Sequence, residues 1–109
     1  MLESAGEIVV FVTTSSEEEA TGLARRAVEA DLAACANVLP AVRSIFRWEG
    51  AVADEQEVLI ILKSRADLFD DLASLLKRHH SYSVPEIIAV PIAKGSADYL
   101  SWIRDVTRK

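Results

Sequence analysis

From Ala34 to Trp48 the chain reads as extended almost throughout, with Cys35, Val38, Val42, Ile45, Phe46 and Trp48 along it and Pro40 interrupting it. At ~3.3 Å per residue a straight strand of that span would run roughly 50 Å. A globule of 109 residues has a radius of gyration near ~13 Å and is only about 35 Å across. The stretch must therefore bend at Pro40 or project from the body as a hairpin. A projecting hairpin carrying Ile45, Phe46 and Trp48 leaves apolar surface in water unless another subunit covers it. The pattern points to an oligomer before any site is considered.

The remaining elements follow from periodicity. Ile8 to Val12 and Val58 to Leu62 are unbroken apolar runs of the kind that fill strands buried on both faces. Between them, Ser15 and Ser16 each have a glutamate three residues on, Glu18 and Glu19, so two registers of a capping box are available. The run Glu17-Glu18-Glu19 suits the positive end of a helix dipole and reads as a solvated first turn. Ala20, Leu23, Ala24, Ala27 and Val28 then repeat at helical spacing, with Arg25, Arg26 and Glu29 pointing away, and predict a helix ending near Asp31. Glu49-Gly50 and the polar stretch to Glu55 predict a turn. Ser64 is placed to cap a second helix, with Leu68, Leu72, Leu75, Leu76 and His79 on one face. Glu86 to Ile92 predicts a fourth strand, Pro91 marking an edge or a bulge. Tyr99, Leu100, Trp102, Ile103 and Val106 predict a short C-terminal helix.

The order β-α-β-β-α-β with a terminal helix is the split βαβ arrangement, an α+β ferredoxin-like sandwich, here expected as one domain over residues 1–109. Right-handed crossovers place both main helices on one face of an antiparallel sheet. The terminal helix is too short to cover the other face alone, and a partner subunit is the natural cover.

Composition removes several classes. Apolar residues make up 50% of the chain, enough for a core that needs neither metal nor disulfide to fold. A net charge of −5 with dispersed basic residues argues against nucleic acid and anionic membranes as partners. No apolar run approaches the ~20 residues of a membrane span. One cysteine, Cys35, and an acidic Met1–Glu7 without a basic leader-type region imply a reducing, cytoplasmic setting. No glycine-rich phosphate loop, nucleophile elbow or nucleophile–base pair is visible, so no catalytic turnover is expected.

A few side chains could carry chemistry. His79 and His80 are the only histidines, and imidazole is the commonest ligand for copper, nickel and zinc. Neighbours on a helix point about 100° apart, so the pair chelates one ion only if the helix frays or another chain supplies a ligand; otherwise it is a favourably charged helix end. Cys35 among alanines reads as a buried thiol. Lys63 and Glu86 stand at strand ends and, with Glu57 and Tyr82, could form a ligand pocket. Trp48 and Trp102 otherwise read as packing residues.

Read together, Phe11-Val12-Thr13-Thr14, Leu32-Ala33-Ala34-Cys35-Ala36-Asn37, Ser44 to Gly50, Leu62-Lys63-Ser64, His80 to Ile87 and Gly95 to Trp102 resemble the CutA divalent-cation-tolerance proteins, in unbroken order from about Ile8 to Val106. The resemblance implies a ferredoxin-like protomer in a tight homotrimer of PII-like architecture, its long hairpin reaching a neighbouring subunit. It implies a link to tolerance of copper and other divalent cations. It also implies a Cu2+ site built from a cysteine near the end of the first strand and the histidine pair. The histidines match His79 and His80; the cysteine position falls on Val12. The family's His-Pro-Tyr reads His80-Ser81-Tyr82 here, and its hairpin tyrosine reads Phe46. Three roles follow as expectations: a metal-binding tolerance trimer, a PII-like sensor with a small ligand in inter-subunit clefts lined by Lys63, Tyr82, Glu86, Trp48 and Glu57, or a scaffold for a protein partner.

Overall fold

The computed structural model describes residues 2–3 and 6–109, with side chains from Gly6 onward. The acidic start read above lies, for Met1, Ser4 and Ala5, outside the described residues. The elements run β1 (Leu2–Glu3), β2 (Glu7–Thr14), α1 (Glu17–Glu29), β3 (Cys35–Trp48), β4 (Ala51–Arg65), a 3-10 turn (Ala66–Leu68), α2 (Phe69–His79), β5 (Ile87–Pro91), β6 (Lys94–Gly95) and α3 (Ala97–Val106). Four strands form one antiparallel sheet in the order β3-β4-β2-β5. That is the α+β, ferredoxin-like order expected of the split βαβ unit. A second, two-stranded ribbon pairs β1 with β6.

The apolar runs of β2 and β4 are not buried on both faces. Ile8, Val10 and Val12 of β2 and Val58, Ile60 and Leu62 of β4 share one buried core with Leu23 and Ala27 of α1 and Leu72 and Leu76 of α2. The alternate residues Val9, Phe11, Leu59 and Ile61 face the other way and are only partly buried. Ile88 and Val90 pair with Phe11 and Val9, so they share this second face. Helices α1 and α2 both cover the first side, as right-handed crossovers require.

Both solutions to the length problem occur. Between the pairs Leu39↔Leu59 and Val42↔Glu57 the register shifts, leaving Pro40 and Ala41 opposite Val58 alone. Ala41 takes φ 63°, the left-handed conformation of a β-bulge. The hairpin also projects, and the molecule measures 44 × 26 × 22 Å. The extra residue has a consequence for the faces. Side chains alternate across a strand, so without the bulge Ser44, Phe46 and Trp48 would leave the face that Cys35, Asn37 and Leu39 share. With it, they stay there.

Local chemistry corrects several expected boundaries. The hairpin turn is only Glu49-Gly50, both at positive φ (49° and 81°), as a two-residue type I′ connection requires. Ala51 to Glu55 therefore belong to β4, because pairing with β3 satisfies their backbone whatever their polarity. Ser64 does not cap a helix. It is buried in β4, and its hydroxyl donates to the Leu32 carbonyl at 2.6 Å. Of the two capping registers, the chain uses Ser16, whose Oγ accepts from the Glu19 N–H at 3.1 Å. Helix α1 ends in a Schellman closure, with Asp31 at φ 59° and the Leu32 N–H on the Ala27 carbonyl. Val28 faces out, not in. Trp48 and Trp102 are 46% and 40% exposed in the protomer and are not core residues.

Helix α3 lies across one end of the second sheet face. Leu100 and Ile103 pack on Ala34 and Ile92, and Arg104 pairs with the fully buried Glu7 at 3.0 Å. Cys35, read as buried, is only partly so, its Sγ 3.6 Å from the Tyr99 hydroxyl.

Candidate functional site

The projecting hairpin, from Glu57 out to Trp48 beside the turn, lines one side of a concavity, and the loop after α2 lines the other. Together they form a cleft of about 800 Å³. Its floor is Thr13 of β2 with Glu55 and Glu57 of β4; its hairpin wall is Ser44, Phe46 and Trp48; its loop wall is Tyr82, Val84 and Glu86. The bulge at Pro40-Ala41 is what turns the hairpin side chains toward this space. Four of the five residues expected to line a cleft are thus brought together: Tyr82, Glu86, Trp48 and Glu57. Lys63 is not among them. It stands opposite Cys35 on the same sheet face, six residues along β4 from Glu57, about 20 Å at the strand rise, and donates to Asn37 Oδ1.

Among the described residues, carboxylates line the cleft and no lysine or arginine does. Glu57 is 6% exposed, and the Tyr82 hydroxyl donates to its Oε2 at 2.6 Å. Burial, and then that hydrogen bond to an anion, pushes the Tyr82 phenol well above its ordinary range. The phenol stays a donor at any physiological pH.

Behind Tyr82 sits His80. It caps α2 with an extended backbone, φ −85° and ψ 142°, which turns its ring into the protein. The side chain is fully buried. A carbonyl oxygen can only accept, so the 2.8 Å contact to Thr13 O requires that Nε2–H donate. Nδ1 accepts from the Tyr82 backbone N–H at 3.0 Å. Both nitrogens are therefore used, and the ring is held as the neutral Nε2–H tautomer. Its face lies 4.8 Å from the Tyr82 ring, centroid to centroid.

Glu19 ties the same loop to α1. Its carboxylate accepts from the Ser81 N–H at 2.7 Å and from the Ser81 hydroxyl at 3.1 Å. Burial alone would raise this carboxyl. The bonds from Ser81, followed by one from the Ser15 N–H, outweigh it and hold the group below its ordinary value. Glu19 and Thr13 were not singled out by the sequence. The one available signal was the capping box, which aims Glu19 back across the helix start.

The residues present do not fit a copper site at the histidine pair. His79 ends α2 exposed to solvent. His80 has no free lone pair, and Val12, where the resemblance would place the cysteine, is fully buried in the helix-side core. Among the described residues no group of three His, Cys, Asp or Glu side chains is placed to hold a metal ion. No helix among the described residues is long and apolar enough to cross a membrane.

An antiparallel β5-β2-β4-β3 sheet backed by two helices, with an overlong hairpin and a cleft along it, defines a ferredoxin-like protein of the α+β class. A family profile described as CutA1 divalent ion tolerance protein matches residues 8–106. The chain belongs to the CutA1 divalent ion tolerance family. It is 46% identical over 101 residues to the divalent-cation tolerance protein CutA of Thermus thermophilus, covering 93% of this chain and 98% of that one. It is 43% identical over 101 residues to the chloroplastic protein CutA of Arabidopsis thaliana, covering 93% of this chain and 56% of that longer one. The crystal structure of CutA1 from Oryza sativa superposes with a TM-score of 0.93 at 40% identity, covering 97% of each chain.

Proposed function

We propose that this chain serves divalent-cation tolerance as a non-catalytic homotrimer, with the cleft between the hairpin and the loop after α2 as its effector site. The observation that carries the oligomer is the uncovered sheet face and hairpin. Ile88 is 52% exposed, Ile45 65% and Val52 64%. Ile88 lies on the open sheet face and Ile45 and Val52 on the other face of the projecting hairpin, and large apolar side chains left exposed in this way mark interaction sites. A trimer of PII-like architecture, as the resemblance implied, would cover them. The response to divalent cations, Cu2+ included, is proposed to run through the cleft and the assembly, not through a His79–His80 chelate. The cytoplasm is the compartment proposed, on the strength of the single unpaired Cys35.

The lining of the cleft favours a small ligand that carries positive charge or none, since carboxylates without a basic partner repel anions. A protein partner docking on the trimer is a weaker reading, for nothing on the surface selects one.

Light scattering after gel filtration tests the assembly. The trimer mass is expected for the native chain, and a lower mass for the double variant Ile88→Lys, Val90→Lys with unchanged far-ultraviolet circular dichroism. A native chain that runs as a monomer at all concentrations overturns the proposal. Thermal shift with divalent cations and small organic cations tests the cleft, where a ligand at 100 times its Kd adds about 2.7 kcal/mol.

A further inference from the structure

We propose that His80 is a positioning residue: as a neutral imidazole bridging the Thr13 carbonyl and the Tyr82 backbone N–H, it fixes Tyr82 against Glu57 and does not ligate divalent metal in the folded chain. The sequence presents His79 and His80 as one adjacent pair. The fold separates their roles.

The geometry is specific. A metal ligand must offer a nitrogen lone pair along an open direction. His80 Nε2 carries the hydrogen it gives to Thr13 O at 2.8 Å. The Nδ1 lone pair is occupied by the Tyr82 N–H at 3.0 Å. Glu19 Oε2, at 3.9 Å from Nδ1, is beyond hydrogen-bond range and holds no proton there. A metal at Nδ1 would displace the Tyr82 N–H and leave it unpaired beside a fully buried ring, the costly arrangement for a backbone donor. A metal at Nε2 would strip the Thr13 carbonyl of its donor.

What the ring does instead is connect three parts of the chain. Thr13 is next to last in β2, His80 caps the C-terminus of α2, and Tyr82 starts the loop wall of the cleft. The short path from His80 Nδ1 to the Tyr82 N–H fixes the backbone from which the Tyr82 phenol reaches Glu57 Oε2 at 2.6 Å. Ser81, where the resemblance would place proline, leaves φ free at that position. The imidazole, with Glu19 on Ser81, supplies the order the missing ring would have given. This holds whether or not the chain assembles into a trimer.

Two measurements on the full-length protein test it. The first is a long-range 1H–15N correlation spectrum of the wild type at neutral pH, with His80 assigned by comparison with His79→Gln, before and after excess Zn2+. His80 is expected as the Nε2–H tautomer, its nitrogen signals unmoved by the metal. An imidazolium, the Nδ1–H tautomer, or a saturable Zn2+-dependent shift at His80 overturns the proposal. The second uses a Tyr99→Phe background, which leaves Tyr82 as the one phenol, and follows its ultraviolet titration. His80→Ala should make the phenol about tenfold more acidic, moving it toward the ordinary value near 10. His80→Gln, whose amide can still donate to Thr13 O, should lie closer to wild type. A phenol that titrates identically in His80→Ala refutes the positioning role. If His80→Ala does not fold, the wild-type spectrum alone decides.

Discussion

The two faces of the sheet carry much the same residues and meet opposite fates. On the helix side Val10, Val12, Ile60 and Leu62 are fully buried. On the other, Ile88 and Val90 stand 52% and 45% exposed beside Phe11 and Val9. Val and Ile have the same transfer free energy on either side, so composition does not set the difference. The crossovers do, because both helices must return over one face. The first face is where the protomer gains its own stability. The second holds apolar area that only another surface can use.

The largest expected effect breaks that symmetry directly. Ile60→Ala removes atoms from a closed core and should cost about 3 kcal/mol, read as a loss relative to wild type whose size is the same at every protein concentration. Ile88→Ala removes similar atoms from the open face. Its loss should be small in the dilute protomer and grow with concentration, as binding linkage requires. Equal, concentration-independent losses at both positions would show that the second face is already closed within one chain.

The fold was legible because its signals are local. Apolar runs, helical spacing and one overlong extended stretch each bear on consecutive residues, and together they gave the strand order and the projecting hairpin. Boundaries were misread where tertiary pairing overrode polarity. Ala51 to Glu55 look like a turn, yet the ladder with β3 draws them into β4. Ser64 looks like a cap, yet its best acceptor is Leu32 O, 32 residues earlier. The cleft was half legible. Tyr82, Glu86, Trp48 and Glu57 meet there, whereas Lys63 has the right face but the wrong end of β4. The direction of His80 could not be read at all, since it depends on a single change of ψ at the end of α2.

Glu19 sharpens the comparison within one helix. Glu17, Glu18 and Glu19 look alike, but the first two are exposed and Glu19 binds a loop 62 residues away. Its folded pKa is depressed. A depressed carboxylate contributes stability that is present above its unfolded pKa and is lost as pH falls through the folded value. Glu19→Gln should therefore lose about 1–2 kcal/mol at neutral pH. The gap to wild type should narrow as the solution is taken below the ordinary carboxylate range near ~4.3. Glu18→Gln should change neither. Urea melts of both variants at neutral and acid pH decide, and a Glu19→Gln deficit that persists undiminished in acid would mean that its charge is not what binds Ser81.

The smallest effect bears on the residue that joins the two halves of β3. Ala41 is held at φ 63°, where a Cβ is strained by roughly 1 kcal/mol relative to glycine. Ala41→Gly relieves the strain but gives the unfolded chain more freedom. The two terms nearly cancel, leaving a net gain of about 0.5 kcal/mol, measurable as a slightly higher denaturation midpoint. Deleting Ala41 should do the reverse of a neutral shortening. With the extra residue gone, Ser44, Phe46 and Trp48 would turn to the opposite face and the cleft would lose its hairpin wall. A deletion variant that keeps wild-type stability and the wild-type fluorescence of Trp48 would mean that the bulge does not set the faces. The hairpin's register would then have to come from the Glu49-Gly50 turn alone.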